Sequence, residues 1–150
     1  MRLQDYLPAS HIIHNLQNTN KIEIIEELLQ LMQKLNILTD YDVALNDTLN
    51  RESYLSTGLE NGLAIPHAKT DAIKDLAMVF GRTEEGVDFQ SLDGKPAHLI
   101  FLVLSPRNVS GPHIQALAVI SRNIKDSAIR DQILSAKTAD EIADIIKAFH

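Results

Sequence analysis

The stretch Ala97-His-Leu-Ile-Phe-Leu-Val-Leu104 decides the fold of this 150-residue chain. From Leu99 to Leu104 every residue is apolar, so a strand here has no polar side chain to turn toward water on either side. Uninterrupted apolar runs of this kind are typical of central strands that are covered on both faces. The sequence therefore predicts a β-sheet with helices packed against each of its faces.

Helical patterns lie on both sides of this strand in the chain. Apolar residues at three- and four-residue spacing predict a helix over 21–35 with Asn20 as its N-cap, and Thr39 or Asp40 is a candidate N-cap for a second helix through Asn50. Further helices are expected over 112–124 and 126–135, and a capping box, Thr138-Ala-Asp-Glu141, precedes the last one. The residues expected to face inward are Ile22, Ile25, Leu28, Leu29, Met32 and Leu35, then Val43, Ala44 and Leu49, then Ile114, Leu117, Ala118, Ser121 and Ile124, and finally Ile142, Ile145, Ile146 and Phe149.

Strand patterns fill the middle of the chain. They cover 11–16, 63–65, 76–80 and 97–104, with a short edge piece at 87–89. Helices at both ends and strands between them predict an α/β fold, a three-layer sandwich with a central mixed β-sheet flanked by helices on both faces. No repeat or linker divides the chain, so residues 1–150 are expected to form a single domain.

Composition narrows the possible functions. The net charge is -6 and no basic cluster is present, which argues against a nucleic-acid partner. The chain has no cysteine, and its longest apolar run is far shorter than the roughly 20 residues that span a bilayer. The N-terminus lacks the apolar segment of a signal peptide, so a cytoplasmic protein is expected.

Six histidines are the side chains that change charge near neutral pH. His11 and His14 could share a helix face and bind a metal, but their isoleucine-rich context favours a strand, in which they point to opposite sides. No carboxylates cluster with them, so no metal site is expected. His98 at the start of the central strand and His150 at the end of the chain are interpreted as incidental.

His67 follows Pro66 directly after the predicted strand 63–65. Proline cannot donate to a strand ladder, so the strand should stop there and place the histidine at its end, where open α/β sheets bind ligands. The same local pattern also fits an ordinary loop histidine. Position alone therefore makes His67 a candidate site residue and does not decide its role.

Two further residues are candidates for an anion site. His113 lies in the first turn of a predicted helix, whose free amides attract an anion and whose dipole favours a neutral imidazole, although it could simply face water. Arg51 has the bidentate geometry that phosphates favour, although an arginine before a loop is usually solvated. Two neutral histidines and an arginine would equally suit a hydrolytic acid and base pair, so the residues alone leave the reaction open.

Five separated motifs together resemble the fructose and mannitol class, type 2, of the enzyme IIA domains of the bacterial sugar phosphotransferase system. They are Arg51-Glu-Ser-Tyr-Leu-Ser-Thr-Gly58, Gly62-Leu-Ala-Ile-Pro-His-Ala-Lys-Thr70, Gly86-Val-Asp88, Leu92-Asp-Gly94 and Pro112-His-Ile-Gln-Ala-Leu-Ala118. The resemblance spans essentially the whole chain and is strongest to the fructose-specific branch. Ser110-Gly-Pro112 ahead of the second histidine is a departure, because a more polar lead-in is usual there.

The resemblance implies a phosphotransferase in which His67 is phosphorylated, His113 is its active-site partner and Arg51 contacts the phosphoryl group. It implies the phosphorylated histidine phosphocarrier protein as donor and an enzyme IIB domain as acceptor, which serves a membrane sugar permease, enzyme IIC. No cofactor or metal is implied. A regulatory phosphoprotein of the nitrogen-regulatory branch and a non-catalytic interaction module of the same fold are the alternatives. Such transfer needs an apolar docking rim, for which the candidates are Leu59, Leu63 and Ile114.

Overall fold

A computed structural model describes residues 1–150. Two short 3-10 turns, Leu3–Asp5 and Ala9–His11, precede the regular elements. Those elements, in chain order, are β1 Ile12–Ile13, α1 Lys21–Lys34, α2 Tyr41–Tyr54, β2 Leu63–Ala64, β3 His67–Lys69, β4 Ala77–Val87, β5 Ala97–Ser105, α3 Gly111–Ile124, α4 Ser127–Ser135 and α5 Ala139–Ile146.

The β-sheet is mixed, and β5 is a central strand that is paired on both sides. β4 runs antiparallel to β5 on one side, and β1 is parallel to β4 at the far edge. On the other side, β2 and β3 both run parallel to β5, one after the other along the same edge, with Leu63 opposite Leu99 and His67 opposite Val103. The predicted mixed sheet is confirmed.

The central strand is buried on both faces, as its apolar run predicts. Leu99, Phe101 and Val103 belong to a core shared with α3, α4, α5 and the N-terminal turns. The alternate residues Ile100, Leu102 and Leu104 belong to a second core formed with α1 and α2. The three-layer sandwich is therefore confirmed. None of the helices combines the length and the apolarity needed to cross a membrane.

The predicted helix caps are present. The side chain of Asn20 accepts a hydrogen bond from the Glu23 amide, and Asp40 accepts one from the Val43 amide. Thr138 accepts from the Glu141 amide, while the Glu141 carboxylate accepts from the Lys137 amide, one residue before the expected partner. Each of these bonds satisfies an amide that lacks an intrahelical acceptor.

Several predicted boundaries were wrong. The strand expected over 11–16 is only two residues long, because His11 closes a 3-10 turn and the chain turns away after Ile13. The strand expected over 76–80 continues to Val87, through polar residues that carry no alternating pattern. Helix α2 extends four residues beyond Asn50, so Arg51 lies in its last turn.

The inward faces of the helices were predicted unevenly. In α1 the stripe is correct except for Ile22, which is exposed while Ile24 is buried, and in α2 Val43 is exposed. In α3 the predicted face is correct at Ile124 and Leu117, which belong to or pack on the core, but wrong at Ile114, which is 65% exposed, and at Ala118, which also faces water. The buried face of α3 carries His113, Ala116, Val119, Ile120, Asn123 and Ile124. This helix is apolar on several sides, so spacing did not identify the side that packs on β5.

Candidate active site

His67 begins a second short strand on the edge of β5. Pro66, which has no amide to donate, interrupts the pairing after β2, but its carbonyl accepts from the Val103 amide at 3.0 Å. Pairing then resumes in β3 with His67 opposite Val103. The expectation that the strand ends at Pro66 is therefore wrong in part, because the ladder pauses there and continues through His67.

The tautomer of the His67 ring follows from one contact. Its Nδ1 lies 2.7 Å from the carbonyl oxygen of Ile65, and because a carbonyl can only accept, Nδ1 carries the proton and donates. The lone pair of the neutral ring is then on Nε2. The Ile65 carbonyl therefore fixes the orientation of the ring as well as its tautomer.

His67 is kept neutral by its surroundings. Burial lowers the pKa of His67 most, and the nearby charge of Arg51 lowers it further. The Ile65 carbonyl and the Glu52 carboxylate act in the opposite direction on that pKa without reversing the shift. A neutral imidazole has the free lone pair that a nucleophile needs.

His113 is the third residue of α3 and is only 5% exposed, so it does not face water. Its ring centroid lies 5.5 Å from that of His67, with the ring planes at 65°. Its Nδ1 lies 2.6 Å from the hydroxyl oxygen of Ser105. Burial, followed by the proximity of His67 and Lys69, lowers the pKa of His113 to about 4. Both histidines of the site are therefore neutral at pH 7.

Arg51 lies in the last turn of α2. One of its guanidinium nitrogens, Nη1, donates to the carbonyl of Leu55 at 2.8 Å, and Arg51 makes no ion pair with a carboxylate. A guanidinium has five N–H groups, so several stay free to bind an anion. The positive charge of Arg51 is one of the causes that lower the pKa of His67.

Glu52, the residue after Arg51, shapes the loop that follows α2. Its buried carboxylate accepts from the Thr57 amide at 2.8 Å and from the Thr57 hydroxyl at 2.5 Å. Lys21 pairs with the same carboxylate at 2.8 Å. A buried charge is stable only when it is paired and hydrogen-bonded in this way. Sequence reasoning missed this role, because Lys21 is distant in the chain.

Lys69 joins the two halves of the site. It lies in β3 two residues after His67, and its Nζ donates to the Val109 carbonyl and to the Ser110 hydroxyl, each at 2.8 Å. These acceptors stand immediately before α3, which carries His113. Lys69 therefore ties the strand of one histidine to the helix of the other. The motif Ala68-Lys-Thr70 was the available sequence signal, but its contacts depend on the fold.

The other histidines lie elsewhere. Nδ1 of His11 bonds to the Met78 carbonyl at 2.9 Å. His14 and His98 line a cavity of about 590 Å³, together with residues of β4 and the end of α4. This cavity is at the opposite end of β5 from Val103, and none of the three candidate site residues lines it.

An exposed apolar rim adjoins Arg51 and His113 in the chain. Tyr54 and Leu55 follow Arg51, Ile114 follows His113, and all three side chains are exposed. Of the predicted rim residues, Ile114 is exposed and Leu59 is half-buried. Leu63 is only 3% exposed and is a core residue, in the cluster that β5 shares with α3.

Replacing Arg51 by methionine should raise the pKa of His67 toward its ordinary value. The guanidinium disfavours a second positive charge nearby, so its removal makes protonation of the imidazole easier. The rise is expected to be partial, because burial is the larger cause. An NMR titration of the His67 ring measures it. The Arg122→Met variant, altered at the far end of α3, should leave that pKa unchanged, and an unchanged pKa in Arg51→Met would contradict the assignment.

The fold and the paired neutral histidines define an α/β sandwich domain with a histidine site at the edge of its sheet. Residues 5–149 match the family model described as "Phosphoenolpyruvate-dependent sugar phosphotransferase system, EIIA 2". The chain belongs to this family, whose members are phosphoryl-relay components of the phosphotransferase system. The resemblance inferred from the five motifs is confirmed.

Two relatives support the fructose-specific resemblance. The fructose-specific EIIABC component of Bacillus subtilis is 38% identical over 146 residues, which are 97% of this chain and 23% of that protein. This chain thus spans about a quarter of that relative's length. The fructose-specific EIIA component of Haloferax volcanii is also 38% identical, over 122 residues that cover 81% of this chain and 79% of the relative.

Solved structures share the fold. The nitrogen regulatory protein IIA-Ntr of Neisseria meningitidis superimposes with a TM-score of 0.89 at 31% identity, over 96% of this chain and 98% of that one. Enzyme IIA mannitol of Escherichia coli, solved in complex with phosphorylated enzyme IIB mannitol, has a TM-score of 0.80 at 22% identity, over 93% and 96% of the two chains. The latter likeness supports the fold alone.

Proposed function

We propose that this chain, as a single domain over residues 1–150, is a cytoplasmic phosphocarrier of the bacterial sugar phosphotransferase system. His67 accepts a phosphoryl group from the phosphorylated histidine phosphocarrier protein and passes it to a fructose-type enzyme IIB. One observation carries this proposal: the Ile65 carbonyl holds Nδ1 of His67, so that Nε2 of a neutral ring presents its lone pair beside His113.

The phosphoryl transfer needs no group that accepts a proton. The bond between phosphorus and a nitrogen of the donor's phosphohistidine breaks as the bond between phosphorus and Nε2 of His67 forms. The electron pair of the broken bond returns to the donor imidazole, and Nδ1 of His67 keeps its proton on the Ile65 carbonyl. Because the bond formed and the bond broken are of one kind, the step is nearly reversible.

The protein's contribution is positioning and charge stabilisation. Phosphoryl transfer places negative charge on the equatorial oxygens of a loose transition state. The free N–H groups of Arg51, the ring of His113 and the unpaired amides in the first turn of α3 are the donors available to those oxygens. No metal or cofactor has a part in this scheme.

Docking of the two partners is assigned to the apolar rim. Tyr54, Leu55 and Ile114, which neighbour Arg51 and His113 in the chain, expose apolar surface, as a transient contact between two proteins requires. The 38% identity to the EIIABC component of Bacillus subtilis, whose name joins an enzyme IIA part to IIB and IIC parts, supports an enzyme IIB as the acceptor. Through that acceptor the chain would serve a membrane permease, enzyme IIC, without touching the sugar.

A regulatory phosphoprotein is the second candidate. The likeness to the nitrogen regulatory protein of Neisseria meningitidis favours it, since that structure matches nearly the whole chain. A target protein would then recognise the phosphorylation state of His67, and the phosphoryl group would not be passed on toward a permease. The paired neutral histidines and Arg51 argue against a third candidate, a non-catalytic interaction module, which would need none of them.

The chain should gain one acid-labile phosphoryl group when it is incubated with phosphoenolpyruvate, enzyme I and the histidine phosphocarrier protein. Intact mass spectrometry, with enzyme I omitted as the control, measures this gain. Addition of a fructose-type enzyme IIB should then move the group to that protein. No adduct would contradict the phosphocarrier function, whereas an adduct that no enzyme IIB accepts would favour the regulatory candidate.

A further inference from the structure

The hydroxyl of Ser105 has a single hydrogen-bond partner. Ser105 is the last residue of β5 and its exposure is 0%. Its Oγ lies 2.6 Å from Nδ1 of His113 and makes no other hydrogen bond. A fully buried hydroxyl in contact with one ring nitrogen of a site histidine can decide where that ring carries its proton.

The direction of this bond follows from polar satisfaction. A hydroxyl can donate or accept, but its proton needs an acceptor when it is buried. The only acceptor within reach is Nδ1 of His113, so Nδ1 must be unprotonated. A ring turned over would set a carbon against the hydroxyl and leave that hydroxyl without a partner. The proton of the neutral ring therefore lies on Nε2.

The sheet positions this hydroxyl. Ser105 lies opposite Lys69 in the same strand pair that sets His67 opposite Val103, and its carbonyl accepts from the Thr70 amide at 2.9 Å. Val103 and Ser105 are two residues apart, so both side chains project from the face of β5 that α3 covers. The strand pair that presents His67 thus also presents the group that orients His113.

We propose that Ser105 is a positioning residue that fixes His113 as the Nε2–H tautomer, so that this N–H donates to the phosphoryl group carried by His67. This inference rests on the proposed function. With Nδ1 engaged by Ser105, Nε2 is the nitrogen left to meet the group on His67, whose ring centroid is 5.5 Å away. The opposite tautomer would point a lone pair at a phosphoryl anion and repel it.

Nitrogen-15 chemical shifts of the His113 ring test the tautomer directly in the unmodified protein. At pH 7 we expect Nδ1 to have the shift of an unprotonated nitrogen and Nε2 that of a protonated one. In Ser105→Ala the ring should become a mixture of both tautomers, and phosphoryl transfer to enzyme IIB should slow about tenfold. Ser105→Thr keeps the hydroxyl and should restore both the shifts and the rate.

Thr83→Val is the matched control, since it removes a buried hydroxyl from the far end of the same sheet and should change neither quantity. A protonated Nδ1 in the wild-type protein would overturn the proposal, whatever the variants do. Unchanged shifts and rates in Ser105→Ala would overturn it as well. An Nε2–H ring in a protein that never accepts phosphate would contradict the proposed function while supporting the orientation of His113 by Ser105.

Discussion

Replacing His67 by glutamine should abolish phosphoryl acceptance. The amide side chain keeps much of the size of the imidazole but has no nucleophilic lone pair at Nε2, so no bond to phosphorus can form. We expect the phosphorylated fraction to fall at least about 10³-fold below that of the wild-type protein. Intact mass after incubation with phosphoenolpyruvate, enzyme I and the histidine phosphocarrier protein measures that fraction.

His98→Gln is the matched control for this variant. His98 is also half-buried, and its Nδ1 also bonds to a backbone carbonyl, that of Thr83 at 3.0 Å. It differs from His67 in lying at the other end of β5, away from Arg51 and His113. The control should be phosphorylated fully, and an adduct that persists in His67→Gln would show that another residue is the acceptor.

The three layers of the fold were predictable from β5 alone. Successive residues of a strand point to opposite faces of the sheet, so a strand that is apolar throughout must be covered on both faces. The apolar run from Leu99 to Leu104 has no side left for water, and the structure covers it with two separate helical layers. Helix starts were also predictable, since Asn20, Asp40 and Thr138 act within three residues of their own position. In each of these cases, residues close together in the chain were enough to predict the structure.

Orientation and polar pairing were not predictable, because they depend on contacts between distant residues. The face of α3 was predicted only in part because its apolar residues surround the axis, and the buried side includes His113, which contacts Ser105. The pairing of Glu52 with Lys21 and the link from Lys69 to the start of α3 join segments whose separation in the chain gives no periodic signal.

The candidate site was therefore found in part. Residue type and position singled out His67, His113 and Arg51, and the five motifs grouped them, but local patterns could not show that the two rings meet. The structure brings the rings to 5.5 Å and adds the groups that hold them, which are the Ile65 carbonyl, Ser105 and Lys69. The contact that orients His67 and one contact of Lys69 are made to backbone carbonyls, those of Ile65 and Val109. The pattern of side chains in a sequence does not reveal such contacts.

Replacing His113 by alanine should separate acceptance from onward transfer. The nucleophile is untouched, so the variant should still be phosphorylated on His67 when the reaction is left to completion. Loss of a donor to the phosphoryl oxygens removes stabilisation of the transition state, and loss of one such preorganised donor lowers rates about 10²- to 10³-fold. Rapid-quench measurement of phosphoryl transfer from the isolated phosphorylated variant to enzyme IIB gives that rate.

His113→Gln serves as the partial rescue, because its side-chain amide keeps an N–H donor on a chain of similar reach. It should transfer faster than His113→Ala and more slowly than the wild-type protein. The amide proton spectrum of each variant checks that the sandwich is intact, since His113 is buried against Ser105 and its removal leaves a small cavity. Onward transfer at the wild-type rate in a folded His113→Ala protein would remove His113 from the mechanism and leave Arg51 and the amides of α3 as the groups that stabilise the transferring phosphoryl.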